Sequence, residues 1–144
     1  MKIRACLLVA VLFLAFSVET PARADTVYKV GQVVTGRYIS YVVNRVYWNS
    51  DASLAVDLTV KNLSPSFQGI PAFFIINGNK KKIRETSAVG FTNSAGNRIR
   101  LDKDDTVKGT VTFVVPPSFA GSQWDLFDSF SGGEDSVSFV AVVR

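Results

Sequence analysis

The sequence predicts an all-β protein, an antiparallel β-sandwich of about seven to eight strands. Three segments alternate apolar and polar residues, at 53–61, 106–115 and 137–143. Such alternation is typical of strands with one buried and one solvated face. Turn-forming Asn, Gly and Pro residues separate the segments, and nothing after residue 24 keeps a helical period over three turns. These observations predict one two-sheet domain at residues 25–144.

The strands follow one another at short intervals. In the clearest of them, 53–61, the even positions from Leu54 to Val60 are apolar, and Asp57 falls on the opposite face. Less regular strands are predicted at 28–34, 37–48, 72–76, 80–86 and 123–127. Asn77-Gly78 separates two of these segments, and Asn-Gly favours a type I′ hairpin turn.

The first 24 residues have the pattern of a secretory signal peptide. Lys2 and Arg4 precede 12 consecutive apolar residues, and Ala22 and Ala24 are small residues at the positions that a signal peptidase reads. We predict cleavage after Ala24 and a secreted or periplasmic product. The apolar run is too short to span a bilayer stably, since a helix needs about 20 residues. Cys6 lies at its beginning rather than its end, so we also expect no lipid anchor.

Composition excludes most catalytic chemistry from the predicted mature chain. The sequence contains 0 His and 1 Cys, and Cys6 lies in the signal segment. A Ser-His-Asp triad and a Cys nucleophile are therefore excluded, and zinc, copper and haem lose their preferred ligands. We expect no enzymatic activity, no cofactor and no metal. The alternative is a carboxylate-dependent enzyme acting on envelope polysaccharide, which needs two carboxylates about 5 to 9.5 Å apart in one cleft.

Two stretches resemble a known family. Residues 56–62, which end at Asn62, look like a strand running into an asparagine. Residues 101–116 contain Leu101, Gly109, Phe113 and Pro116 in a hairpin-strand pattern. Together they resemble bacterial secreted proteins of domain of unknown function 4352, which are related in fold to a mycobacterial immunoprotective extracellular antigen. The resemblance covers residues 28–128 and implies a secreted immunoglobulin-like sandwich with no established enzymatic activity.

The segment 37–48 supplies the main binding hypothesis. Both of its alternating faces carry large apolar groups, and one also carries two arginines. We predict that this face is exterior, because burying an unpaired arginine is costly. Its Arg37, Tyr41, Arg45 and Tyr47 would form a contact patch, since Tyr and Arg are enriched at interface hot spots. The partner would be a protein or a cell-envelope component, and a homodimer is left open. The alternative is packing of tyrosine rings on arginine stems within the sheet.

A dense basic run occurs at Lys80, Lys81, Lys82 and Arg84. It could bind a polyanion, or it could protect an exposed edge strand against aggregation. We favour edge protection, because the mature chain has 13 basic and 11 acidic side chains, a net charge of +2. For the same reason we expect no nucleic-acid partner.

Two acidic turns are candidates for weak calcium binding. One holds Asp102, Asp104 and Asp105, and the other holds Glu134 and Asp135. Calcium needs about six to eight oxygen ligands, and the spacing does not match an EF-hand loop. We therefore favour solvated turn residues chosen for their local hydrogen bonding.

Overall fold

The computed structural model describes residues 26–50, 52–119, 121–131 and 135–140, so the predicted signal segment lies outside the described residues. Twelve strands occur in the described part of the chain: β1 (Thr26–Lys29), β2 (Val33–Thr35), β3 (Ile39–Ser50), β4 (Ser53–Asn62), β5 (Gln68–Gly69), β6 (Phe73–Asn77), β7 (Lys82–Arg84), β8 (Ser87–Val89), β9 (Arg100–Leu101), β10 (Thr106–Val114), β11 (Gln123–Asp128) and β12 (Asp135–Val140). A short 3-10 helix covers Pro117–Phe119. Among the described residues no helix is long and apolar enough to cross a membrane.

The strands form two five-stranded sheets that pack face to face. Sheet 1 has the order β1-β12-β11-β6-β7, sheet 2 has the order β2-β3-β4-β10-β8, and β5 and β9 form a small separate pair. Side chains from both sheets share one core cluster. The predicted all-β sandwich is therefore confirmed, with more strands than expected.

The first predicted strand is wrong in its extent. Residues 28–34 are not one strand but parts of two, β1 in sheet 1 and β2 in sheet 2. Gly31 separates them with a φ of 90°, a left-handed conformation that glycine adopts readily. This break lets the chain leave sheet 1, where β1 pairs with β12 in parallel rather than antiparallel, and continue into sheet 2.

The alternation predicted for 53–61 and 106–115 is present in the core. The inward side chains of β4, from Leu54 to Val60, are fully buried, and so are Val111 and Phe113 of β10. Strands β4 and β10 lie side by side over nine residue pairs. They form the centre of sheet 2, and the other strands are positioned around them.

The hairpin predicted at Asn77-Gly78 joins β6 to β7, but its turn is longer than two residues. The backbone closes between Asn77 and Lys81, and the Asn77 side-chain oxygen accepts the N–H groups of Asn79 (3.1 Å) and Lys81 (3.0 Å). Lys80 has the positive φ, 59°. The asparagine therefore acts through its side chain and not as half of a type I′ turn.

Two residues of the family-like pattern have structural roles. Asn62 is buried, and its Nδ2 donates to the carbonyls of Ser66 (2.9 Å), Leu101 (3.0 Å) and Asp102 (3.0 Å). Its Oδ1 accepts the Ser64 N–H at 2.8 Å. The side chain thus fastens the loop after β4 to the end of β9.

Gly109 leaves room for an aromatic ring. A Cβ at Gly109 would lie 2.7 Å from Cε1 of Phe91 and 2.7 Å from the Val89 carbonyl oxygen. Phe91 is fully buried in the core. Glycine is therefore required at this position for β8 and the following turn to pack on β10.

Candidate functional site

A β-bulge in β3 divides the predicted contact patch. Val43 pairs with Leu58 and Arg45 pairs with Asp57, so Asn44 is an extra residue without a partner position on β4. One extra residue reverses the inward and outward faces of the rest of the strand. Odd-numbered residues of β3 point inward before the bulge, and even-numbered ones point inward after it. This explains why both faces of the segment looked apolar.

Tyr41 lies before the bulge and is buried, so its predicted place in an exposed patch is wrong. Its side chain is 1% exposed, and its ring meets the Phe73 ring edge-on at a centroid distance of 5.5 Å. Burial raises the pKa of the Tyr41 hydroxyl, and the charges of Asp128 and Asp135 raise it further. The hydroxyl has no hydrogen-bond partner among the described residues.

Arg45 and Tyr47 lie after the bulge, on the outer face of sheet 2. The Arg45 guanidinium lies 4.0 Å from the Tyr47 ring centroid, and its Nε is 3.4 Å from Oδ2 of Asp57. Asp57 Oδ1 also accepts the hydroxyls of Thr110 (2.7 Å) and Tyr47 (3.4 Å). This cluster joins three strands, and its polar groups already bind one another.

Arg37, the fourth residue of the patch, lies in a cleft at one end of the sandwich. The cleft has a volume of about 650 Å³ and separates the turn into β3 from the loop after β11. Nine described residues line it: Thr35, Gly36, Arg37, Tyr38, Ile39, Asp128, Phe130, Ser131 and Asp135. We call this the end cleft.

Aromatic side chains with exposed faces form part of its wall. Tyr38 and Phe130 are both exposed, and their rings meet edge-on at a centroid distance of 6.1 Å. The Arg37 guanidinium lies 5.2 Å from the Tyr38 ring centroid. The wall therefore offers a ligand apolar surface together with one cation.

Two carboxylates also line the cleft. Asp128 and Asp135 are 3% and 5% exposed. Oδ1 of Asp128 accepts the backbone N–H groups of Phe130 (2.8 Å) and Ser131 (3.0 Å). This Asx turn fixes the loop that carries Phe130 and so positions the aromatic wall.

Sequence reasoning missed the end cleft, because its two walls are about 90 positions apart in the chain. Of its lining residues, the sequence predicts a role only for Arg37, in the contact patch, and for Asp135, in an acidic turn. The Asp128-Ser-Phe130 sequence is a usable local signal, because an aspartate two residues before a loop residue can close an Asx turn.

The basic run begins in the turn after β6 and continues into β7, an edge strand of sheet 1. Lys82 and Arg84 belong to β7, and the Lys82 Nζ lies 4.3 Å from the Phe74 ring centroid. Phe74 stacks on Phe127 across the neighbouring strand pair at 5.5 Å. The lysine therefore lies over an aromatic pair beside a sheet edge, and edge protection by the basic run stays a prediction.

The first acidic turn closes on itself. The Asp102 N–H donates to Oδ2 of Asp105 at 3.2 Å, and Asp104 has a φ of 64°. Within the described ranges, no group of three or more His, Cys, Asp or Glu residues could hold a metal ion.

Comparison with known proteins adds a structural similarity. No family model matches the chain, and no curated protein matches it. The crystal structure of the YjhA protein from Bacillus subtilis is similar over 68% of this chain and 78% of that chain, with 16% sequence identity and a TM-score of 0.49. Similarity at this level says nothing about what either protein binds. The resemblance to domain of unknown function 4352 stays a prediction.

Proposed function

We propose that this protein is a secreted or periplasmic, non-catalytic binding module that holds part of its partner in the end cleft. One observation carries the proposal: exposed aromatic rings, an arginine and two almost buried carboxylates converge on a single cleft of about 650 Å³. Ligand sites are concave, commonly about 300–1,000 Å³, and combine apolar walls with a few polar groups. The signal-like segment at residues 1–24 supports export.

The end cleft is a better candidate than the outer face of sheet 2. Arg45, Tyr47 and Asp57 bind one another, so a partner would have to displace existing contacts before it gained its own. Tyr38 and Phe130 instead present exposed ring surface that binding would remove from water. We therefore place the contact with a protein or cell-envelope component at the cleft. A homodimer through Arg45 and Tyr47 stays a separate prediction.

The test is a pull-down of partners from the host's envelope and secreted fractions, using the exported protein and two cleft variants. We expect Tyr38→Ala and Phe130→Ala each to weaken capture of the same partner by about tenfold or more, since hot-spot aromatics contribute about 2 kcal/mol or more. Phe67→Ala is the matched control, because Phe67 is 70% exposed and lies outside the cleft. A partner held equally by all four proteins would show that the cleft is not its site.

The second candidate is a carboxylate-dependent enzyme acting on envelope polysaccharide. Asp128 and Asp135 favour it, because both line one cleft as such a mechanism requires. Against it, one oxygen of Asp128 already accepts two backbone N–H groups and maintains the loop. Release of reducing ends from purified envelope polysaccharide by the wild type, lost in Asp135→Asn, would replace the binding proposal with this one. We expect no release from either protein.

A further inference from the structure

A second concave site lies beside the basic run, and it shares no lining residue with the end cleft. After β7 the chain crosses from sheet 1 to sheet 2: the Glu85 N–H donates to the Phe73 carbonyl and the Thr86 N–H donates to the Thr112 carbonyl. A pocket of about 230 Å³ opens at this crossing. That volume is below the usual range for drug-sized ligands, about 300–1,000 Å³, and suits a single small chemical group.

The pocket combines two arginines that are distant in sequence. Arg84 ends β7, whereas Arg98 lies beyond the turn at 93–97, and both line the pocket with the hydroxyl-bearing Ser87 and Thr92. Glu85 is the carboxylate among the described lining residues. Guanidinium groups match the geometry of phosphate and sulfate oxygens and bind them through paired N–H donors.

The negative charge in the pocket is already committed. Glu85 forms an ion pair with Arg98, and its Oε2 accepts the backbone N–H of Phe73 at 2.9 Å. Arg84 has no ion pair within the described part of the chain. The one carboxylate therefore pairs with the half-buried Arg98. The exposed Arg84, whose guanidinium lies 6.0 Å from the Phe74 ring centroid, has no carboxylate partner among the described residues.

The Arg98 guanidinium also lacks hydrogen-bond acceptors for some of its N–H groups among the described residues. Its side chain is only 24% exposed, and its buried Nη1 has no hydrogen-bond partner among the described residues. Burial lowers the pKa of the Arg98 guanidinium, and the charge of Arg84 lowers it further. An arginine nevertheless stays charged in a protein, so two guanidinium groups and the single carboxylate of Glu85 leave the described lining with one excess positive charge.

We propose that this pocket binds a sulfate or phosphate ester group carried by an anionic polysaccharide, with Arg84 as its main contact. Lys80, Lys81 and Lys82 precede Arg84 on the same hairpin and are exposed, so they meet the next charged groups along the polymer. A polysaccharide fits better than a nucleic acid, because bases need free aromatic faces for stacking. The Phe74 ring is already stacked on Phe127 and lies under the cations of Lys82 and Arg84, and the Phe119 ring lies under the ammonium group of Lys81.

The experiment compares binding of inorganic sulfate, inorganic phosphate, heparin and single-stranded DNA to the exported protein at one fixed salt concentration. We expect Arg84→Gln to weaken heparin and sulfate or phosphate binding about tenfold or more, since charge-assisted hydrogen bonds contribute about 1.5–3 kcal/mol. Arg100→Gln is the matched control, an exposed arginine on β9 outside the pocket, and should bind within about twofold of wild type.

A triple substitution of Lys80, Lys81 and Lys82 by Gln separates the pocket from the surrounding charge. We expect it to weaken heparin binding but to leave inorganic sulfate and phosphate binding unchanged. If Arg84→Gln binds sulfate, phosphate and heparin as tightly as the wild-type protein does, the pocket is not the binding site. Single-stranded DNA bound as tightly as heparin would overturn the polysaccharide assignment and indicate a general basic surface.

Arg98 is tested without a substitution, because Arg98→Gln would leave the Glu85 carboxylate without its cation. Instead, the NMR resonance of the Arg98 Nε–H is followed while sulfate is added. We expect this resonance to shift, and an unchanged resonance counts against the pocket.

Discussion

Replacing Asn62 by alanine should remove a large part of the stability of the fold. The fully buried side chain makes one bond from its oxygen side and three from its amide nitrogen. The Ser64 N–H and the Leu101 carbonyl lie in the buried part of this network, whereas the carbonyls of Ser66 and Asp102 can be reached by water more easily. A buried polar group left without a partner costs about 1–3 kcal/mol. Two such groups predict a loss of about 3 kcal/mol, a sizeable share of a typical total of about 5–15 kcal/mol.

Urea unfolding followed by circular dichroism measures this loss, and thermal unfolding should show a decrease in Tm of about 10 °C. Asn44→Ala is the matched control, because Asn44 is exposed and has one side-chain hydrogen bond, to Thr59; it should cost less than about 1 kcal/mol. Asn62→Asp keeps the acceptor for Ser64 but directs a negative charge at three carbonyl oxygens, so it should be worse than alanine. If Asn62→Ala loses less than about 1 kcal/mol, the side chain does not fasten the two loops as described.

Two further predictions concern residues that pack against core side chains. Gly109→Ala should cost about 1–3 kcal/mol, because its Cβ would collide with the ring of Phe91, whereas Gly69→Ala has open space at the same distance and should change little; equal Tm values for the two variants would contradict this. Tyr41→Phe removes a buried hydroxyl that has no partner in the described ranges, so the free energy of unfolding should stay within about 1 kcal/mol of wild type or rise. Burial first, and nearby carboxylates second, raise the Tyr41 pKa above the unfolded value of about 10, so above about pH 10 only the unfolded chain loses this proton. Above about pH 10 the free energy of unfolding of the wild type should therefore fall more steeply with pH than that of Tyr41→Phe, by up to about 1.4 kcal/mol per pH unit. Urea unfolding at several pH values measures both free energies, and the same pH dependence for the two proteins would refute a raised Tyr41 pKa.

Strands could be predicted from the sequence where one face is buried and the other is exposed to solvent. Strand β4 shows this best, because its inward residues are all apolar and its outward positions include Asp57 and Thr59. The short strands β5, β8 and β9 have two or three residues each, too few for an alternation to be recognised. Their positions depend on the strands with which they pair, and those strands lie in other parts of the sequence.

The candidate sites were harder to predict because each combines residues from distant segments. Tyr38 contacts Phe130, and Arg84 and Arg98 line one pocket, only after the two sheets have packed. Local sequence identifies the basic run of β7 but not the second arginine beside it. The spacing of these residues in the sequence does not show that they come together. Residue type can therefore suggest candidate residues, but it cannot predict which of them form one site.

The bulge in β3 shows why one extra residue changed the functional interpretation. In a strand without it, a single alternating face would carry either Tyr41 and Val43 or Val46 and Trp48, and the other pair would face solvent. With Asn44 inserted, all four point towards the core, and Arg45 turns outward to meet Asp57. The strand therefore contributes apolar side chains to the core on both sides of the bulge. The arginines and tyrosines that resembled a contact patch lie in three different places: the end cleft, the core and the outer face of sheet 2. Since Tyr41 is buried and Arg45 and Tyr47 already bind Asp57, whereas Arg37 lies in a cleft beside exposed aromatic rings, we seek binding at the cleft rather than along the strand.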